Sequence, residues 1–137
     1  MLSMNDVRSY LESLTRPIHV VVTGGREYND VARVRWALAG LHAKYRIARL
    51  AHGAARGADT LAGQVARGLG ILVVEYPVDV AVDGPWPAAG CRRNVRMLEE
   101  EWHPGPLDLV VAFPGGRGTM GCVRTAMEMG IRVWRVT

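Results

Sequence analysis

The sequence predicts one three-layer α/β domain: a parallel sheet of about five strands with helices on both faces. Three observations predict it. Short apolar, β-branched runs alternate with helical patterns from one end of the chain to the other. The runs are continuously apolar, as strands covered on both faces require, and lack the polar alternation of a half-exposed sheet. The chain has 137 residues, 49% of them apolar, enough for one core.

The elements follow in order. Ser3 to Leu14 reads as a short helix and Pro17 ends that segment, so residues 1–17 form a leading helix and connector within a single domain spanning 1–137. "HVVVTG" (His19 to Gly24) is a strand stopped by glycine. Asn29 or Asp30 can cap a helix running to about Tyr45, with Val31, Val34, Leu38 and Leu41 on one face. "IARLAHG" (Ile47 to Gly53) is the second strand, Gly57 to Gly70 a helix closed by glycine, and "ILVVEYP" (Ile71 to Pro77) the third strand. A loop rich in Asp, Gly and Pro runs from Val78 to about Ala89, and a helix covers roughly Gly90 to Trp102. "LDLVVAF" (Leu107 to Phe113) is the fourth strand, Thr119 to Met129 a helix, and Arg132 to Val136 the last strand.

Right-handed crossovers restrict the windings this order allows, and a Rossmann-like sheet in the order 3-2-1-4-5 is the expected one. In it the first and fourth strands are neighbours and the direction of winding reverses between them. Ligands of such sheets bind at that switch point, beyond the carboxyl ends of the strands. The loops there are "TGGREYND" (Thr23 to Asp30) and "PGGRGT" (Pro114 to Thr119), both rich in glycine. Glycine removes Cβ and lets backbone N–H groups converge on one point, and the helix that follows adds unpaired N–H groups and a partial positive charge. Thr23, Gly24, Gly25 and Arg26 on one loop, and Pro114, Gly115, Gly116, Arg117, Gly118 and Thr119 on the other, are therefore candidate phosphate ligands. Thr119 can either cap its helix or bind a phosphate oxygen. Either loop alone reads as an ordinary tight turn; two of them at one switch point favour an anion site.

Three further stretches point to the same edge. "HGAARGADTLA" (His52 to Ala62) ends the second strand in a turn containing Gly53, then places Asp59 early in a helix, as a helix-start residue or as a hydrogen-bond partner for a ribose hydroxyl or a base. "AGCRRNVRM" (Ala89 to Met97) opens a helix with Arg93 and Arg96 three apart, able to share a face, while Arg92 and Asn94 point elsewhere. The plain reading is a solvated basic face. "DVAVDGPWP" (Asp79 to Pro87) reads as a flap whose Trp86 either packs in the loop or covers a ligand.

The net charge is +4, and Lys44 is the only lysine among 17 cationic residues. Arginine enrichment reflects biased composition or anion binding, which the planar guanidinium suits. No basic block or basic–aromatic stripe supports extended nucleic-acid binding. No uncharged apolar run approaches the ~18 residues of a membrane span. The N-terminal stretch has acidic residues and no apolar core of a signal peptide, so a reduced, cytoplasmic setting is expected. Cys91 and Cys122 and the four histidines lie in no metal-ligand spacing, and Asp79 with Asp83 alone defines no magnesium site.

"TGGREYND", "HGAARGADTLA", "AAGCRRNVRM" and "AFPGGRGT", in this order, resemble the YspA-type branch of the SLOG superfamily, named for the DprA (SMF) and LOG proteins. The resemblance covers about residues 18–137. It implies a Rossmann-like fold that binds a nucleotide or nucleotide-derived ligand, ADP-ribose-like ligands included, with Arg93 and Asn94 joining the glycine loops as ligand-binding residues. It also implies a homodimer, as in LOG proteins. Those proteins cleave the N-glycosidic bond of nucleoside 5′-monophosphates and carry PGGxGTxxE with an upstream arginine in an R-K-x-x-M context. Here Arg93 matches that arginine and Pro114 to Thr119 match PGGxGT, but Cys122 occupies the glutamate position. A thiol cannot take the carboxylate's part at an oxocarbenium-like centre. The expectation is a non-catalytic binding or sensing domain with no catalytic residues, no metal and no firm cofactor. The alternatives are a nucleotide-processing hydrolase using Asp59, Asp79, Asp83 or Glu27, and, less favoured, a DprA-like nucleic-acid binder.

Overall fold

A computed structural model describes residues 3–103 and 105–137. The elements are α1 (Met4–Ser13), β1 (Ile18–Thr23), α2 (Val31–Tyr45), β2 (Ile47–His52), α3 (Ala58–Gly68), β3 (Leu72–Glu75), α4 (Val80–Asp83), α5 (Ala89–Trp102), β4 (Leu109–Ala112), α6 (Arg117–Glu128) and β5 (Val133–Arg135). All strand pairs are parallel, in the order β3-β2-β1-β4-β5 that the sequence predicts. Among the described residues no helix is long and apolar enough to cross a membrane.

Strand β1 is buried along its whole length, so it needs apolar cover on both faces. Successive side chains alternate between faces. Val20 and Val22 join Leu50, Leu109 and Val111 in a core with Val34 and Leu38 of α2 and Ala62 and Ala66 of α3. Val21, Ala51 and Val110 join the opposite core with Met97 and Leu98 of α5 and Cys122 and Ala126 of α6. Each fully buried Val or Leu contributes about 1.5–3 kcal/mol, so the two cores fix which helices cover which face. Strands β3, β4 and β5 are shorter than the sequence suggests, at four, four and three residues.

The segment read as a plain loop contains a one-turn helix, α4. Asp79 caps it by accepting from the Ala81 N–H at 3.1 Å, and Gly84, at φ +81°, ends it. The leading helix is welded to the sheet. Val7 and Leu11 enter the first core, and buried Asp108 accepts from the Tyr10 hydroxyl (2.7 Å), the Arg16 guanidinium (2.7 and 2.8 Å) and the His19 N–H (2.8 Å). Trp36 and Trp102 are 55% and 40% exposed, so neither is a core tryptophan.

A second buried carboxylate seats α5. Glu101 accepts from Arg49 at 2.8 and 2.7 Å, pairs with the His19 ring at 2.6 Å, and accepts from the Tyr76 hydroxyl at 2.6 Å. Burial alone would raise its pKa, but these partners outweigh burial and hold it below the ordinary carboxylate range. Asp108 behaves alike for the same reasons. His52 is depressed by burial: its Nδ1 accepts from the Ala54 N–H at 2.9 Å, and its Nε2 has no partner among the described residues.

These shifts set an acid limit on stability. A neutral buried His52 contributes stability above its unfolded pKa, which is lost as the unfolded chain takes up a proton below about pH 6.5. Glu101 and Asp108 contribute above their unfolded pKa values, and that contribution drains away below about pH 4.5. Glu101→Ala is expected to cost about 3 kcal/mol near pH 7, by stranding Arg49 and His19, and to flatten the fall at low pH. Urea melts at three pH values, from neutral to strongly acid, read both effects. A wild-type slope in the variant would show that Glu101 does not govern the acid limit.

Candidate active-site crevice

Three backbone turns meet at the carboxyl edge of the sheet. The Gly25 N–H donates to the Pro114 carbonyl at 2.9 Å, and the Ala58 N–H donates to the Gly25 carbonyl at 3.1 Å. A Cβ on Gly25 would lie 2.9 Å from the Pro114 oxygen and 3.1 Å from the Gly115 Cα. One on Gly24 would strike Ala58, and one on Gly115 would strike the Thr119 hydroxyl. The close packing of loop on loop requires glycine at these positions, and Gly24 and Gly25 also line the crevice between the loops.

Gly116 and Gly118 differ. A Cβ on either would meet nothing within 4 Å. Both line a crevice of about 420 Å³ between the two glycine-rich loops, together with Thr23, Arg26, Asp59 and Thr119. A larger groove of about 580 Å³ between α1 and α2 is walled by apolar groups such as Trp36, Leu41 and Trp134 and has no glycine loop.

The helices that start at the crevice have bare ends. Helices α1, α2 and α4 are capped by the side chains of Ser3, Asp30 and Asp79. Helix α3 starts at Gly57, also without a side-chain cap, but gives its first N–H to the Gly25 carbonyl; helices α5 and α6 start at Ala88 and Gly116 with no side-chain cap bond. Their first N–H groups are left for water or a ligand. Thr119 is therefore not the cap of α6. The glycine pair lets the chain turn into the helix at Arg117, and Thr119 becomes its third residue, buried on the crevice wall.

Arg93 is 6% exposed on α5. Its Nη1 donates to the Gly53 carbonyl and, at 3.1 Å, to the Tyr76 carbonyl, and its Nε donates to Asn94 Oδ1 at 2.8 Å. Gly53 is needed here, since a Cβ would fall 2.6 Å from the guanidinium carbon. Asp59 and Asp83 feel its charge, but among the described residues no carboxylate forms an ion pair with it. Burial lowers its pKa, though an arginine stays charged.

Asp59 serves the loop and faces the crevice. Its Oδ2 accepts from the N–H groups of Gly53 (3.1 Å) and Ala55 (3.3 Å). Burial pushes its pKa up to about 6, against the downward pull of the Ala55 N–H and Arg93. Asn94 corrects the sequence reading. It does not point away from Arg93; it is buried beside it on the crevice wall, because α5 is wedged between the sheet and α6 and covers both positions. Arg93 and Arg96 do not share a partner. Arg96 turns to the flap and pairs with Asp83 at 2.8 and 2.9 Å, holding that carboxyl down at about 2. Trp86 is 53% exposed, lines the crevice and has the Arg26 guanidinium 5.4 Å from its ring centroid. Arg117 and Pro114 are exposed, Arg117 on the crevice rim.

Cys122 belongs to the core, not to the crevice mouth. It is 1% exposed among Val21, Met97 and Ala126, and burial raises its thiol to about 11, with the Thr23 hydroxyl pulling the other way. Glu27 pairs with Arg56 at the surface. Among the described residues no group of three His, Cys, Asp or Glu side chains could hold a metal ion. The missing side-chain caps were a signal legible in the letters: Ala88 and Gly116 stand where α1, α2 and α4 have Ser3, Asp30 and Asp79.

Residues 18–81 match the model of the YspA, cpYpsA-related SLOG family. The Gene 61 protein of Mycobacterium phage D29 is 37% identical over 122 residues, covering 83% of this chain and 92% of that protein. Among solved structures, DNA processing protein A (DprA) from Streptococcus pneumoniae is similar at 18% identity with a TM-score of 0.46. That match covers 92% of this chain, which spans 60% of the DprA chain.

The two kinds of glycine should separate in a stability assay. Gly24→Ala forces a methyl against Ala58 and is expected to cost about 1–3 kcal/mol. Gly116→Ala projects into open space and should leave the thermal midpoint within about a degree, since surface changes usually stay within ~0.5 kcal/mol. Equal losses in thermal melts would mean that Gly116 also serves packing.

Proposed function

This chain belongs to the YspA, cpYpsA-related SLOG family, and we propose that it binds a nucleotide or nucleotide-derived ligand by its phosphate or diphosphate, without LOG-type turnover. One observation carries the reading: the buried guanidinium of Arg93 forms no ion pair among the described residues and lines the crevice where α5 and α6 begin uncapped. A buried charge without an ion-pair partner is costly, even where carbonyls accept from it as they do from Arg93. An anion between Gly116–Thr119 and Arg93 would compensate that charge and satisfy the free N–H groups together. Arg26 and Arg117 would add exposed charge at the mouth. Asp59, titrating near neutrality, would meet a ribose hydroxyl or base, and Trp86 would cover the ligand.

The case against LOG-type hydrolysis rests on Cys122. In LOG proteins a glutamate holds this position; here the thiol is sealed in the core. Cys122→Glu would put a carboxylate into that core, so the expected result is lost stability and not restored chemistry. A hydrolase using Asp59 is the second reading, favoured by its raised pKa and its place in the crevice.

Native mass spectrometry of freshly purified protein is expected to reveal a bound nucleotide. Arg93→Ala should weaken binding of that nucleotide about tenfold or more, the loss of one charge-assisted hydrogen bond of roughly 1.5–3 kcal/mol. Gly116→Val should weaken it further without unfolding the chain. Unchanged affinity in both variants would place the ligand elsewhere. Release of free base from any nucleoside monophosphate, lost in Gly116→Val, would promote the hydrolase.

A further inference from the structure

We propose that His52 is a proton-sensitive latch on the loop from Gly53 to Arg56: a proton taken up by its ring releases the Ala54 N–H, opens the loop and frees the carbonyl that seats Arg93. The inference stands whatever the crevice binds. Three successive N–H groups follow the end of β2, and each donates to a side chain. Those of Gly53 and Ala55 go to Asp59 Oδ2 at 3.1 and 3.3 Å, and that of Ala54 goes to His52 Nδ1 at 2.9 Å. Ala54 needs the hold. It is a non-glycine residue at φ +57°, in the left-handed region that an L side chain disfavours. It is also exposed, so water can replace the lost partner. The same loop carries the Gly53 carbonyl that accepts from Arg93, and Ala55 on the crevice wall.

The imidazole can hold Ala54 only while neutral. Accepting at Nδ1 puts the ring proton on Nε2, which has no partner among the described residues. A second proton would make both nitrogens donors, with no acceptor for either. The ring has no room to seek one: it is buried, and a Cβ on Gly63 of α3 would already lie 2.7 Å from Nε2. The charges around it are Arg67 on α3 and Arg93 on α5, which oppose protonation, and Glu75 on β3, which favours it but is paired with Arg67 at 3.4 Å. Burial is the larger cause, and the closed loop holds the ring below its ordinary pKa. An opened loop lets water reach the ring, which then binds a proton more readily; by linkage, acid favours the open loop. Asp59 is not the switch. Burial favours its uncharged form, against Arg93 and Arg26, so acid keeps that side chain in place and only converts its two charge-assisted bonds into weaker neutral ones.

NMR of the whole chain tests this. The ring nitrogens of His52 report its protonation, and amide hydrogen exchange, corrected at each pH for the rate of an unstructured peptide, reports protection. Between about pH 7.5 and about pH 4.5, a range that brackets histidine titration, Ala54 protection is expected to fall about tenfold in step with the ring, as the loss of one hydrogen bond allows. Val20 to Val22 in β1 should stay protected over the same range. His52→Asn puts a non-titrating acceptor, Oδ1, in the place of Nδ1 and should hold Ala54 protection level throughout. Ala54→Gly is the second variant should His52→Asn not fold: it removes the left-handed cost and should shrink the fall. The latch is overturned if Ala54 protection ignores the titration of the ring, or if it falls as far in the folded variant as in the wild type. It is overturned as well if the ring stays neutral until Val20 to Val22 lose protection too, which is unfolding of the whole chain.

Discussion

The backbone approach at Gly25 is the contact on which the rest of this edge depends. Its N–H reaches the Pro114 carbonyl, its carbonyl receives the Ala58 N–H, and its Cα faces Gly115 with no room for a side chain. That contact fastens the loop after β1 to the loop after β4, across the seam where the winding reverses. It also fastens both to the start of α3. Gly57, at φ +82°, completes the junction, since a Cβ there would strike the Gly25 carbonyl. Three turns are drawn to one point by the absence of four side chains.

Once the loops are fixed, the charges have fixed addresses. Helix α5 is seated by Glu101, which gathers Arg49, His19 and the Tyr76 hydroxyl. The Tyr76 carbonyl in turn accepts from Arg93 on the same helix. One residue of the β3 end thus takes a hydrogen bond from α5 at its main chain and gives one to α5 from its side chain, which limits how α5 can rotate. Arg96 extends the brace to the flap through Asp83, and Arg26 approaches it again through Trp86. The flap is thus approached by two arginines, Arg96 on α5 and Arg26 on the loop after β1.

Strand order was legible because continuous apolar strands admit few windings, and the two glycine loops were legible because their chemistry repeats. What the letters could not separate was glycine from glycine. Gly115 and Gly116 are neighbours with the same symbol, yet one is pressed against Thr119 and the other faces open space. Asn94 was misdirected because helical spacing gives angles around an axis and says nothing of how many sides the helix will bury; α5 has the sheet on one side and α6 on another. The direction of Cys122 is hidden for a related reason: its place in the motif is legible, but the packing of α6 on Val21 and Met97 is what turns it inward. Helix α4 escaped because a single turn rests on its Asp79 cap and on the Asp83–Arg96 pair, a contact 13 residues apart in sequence.

The functional claim comes from what remains after the fold has been accounted for. Gly24, Gly25, Gly57 and Gly115 answer to loop packing, Gly53 to the seat of Arg93, and Asp108 and Glu101 to the docking of α1 and α5. No such demand explains Gly116 and Gly118, whose missing side chains relieve no contact. Nor does one explain two helix starts without side-chain caps, each forgoing roughly 1 kcal/mol that Ser or Asp would supply. Least of all does it explain a buried arginine that, among the described residues, forms no ion pair with a carboxylate. Each is unfavourable or idle in the isolated chain. All of them line one crevice, and a single bound anion would turn every one into a favourable contact.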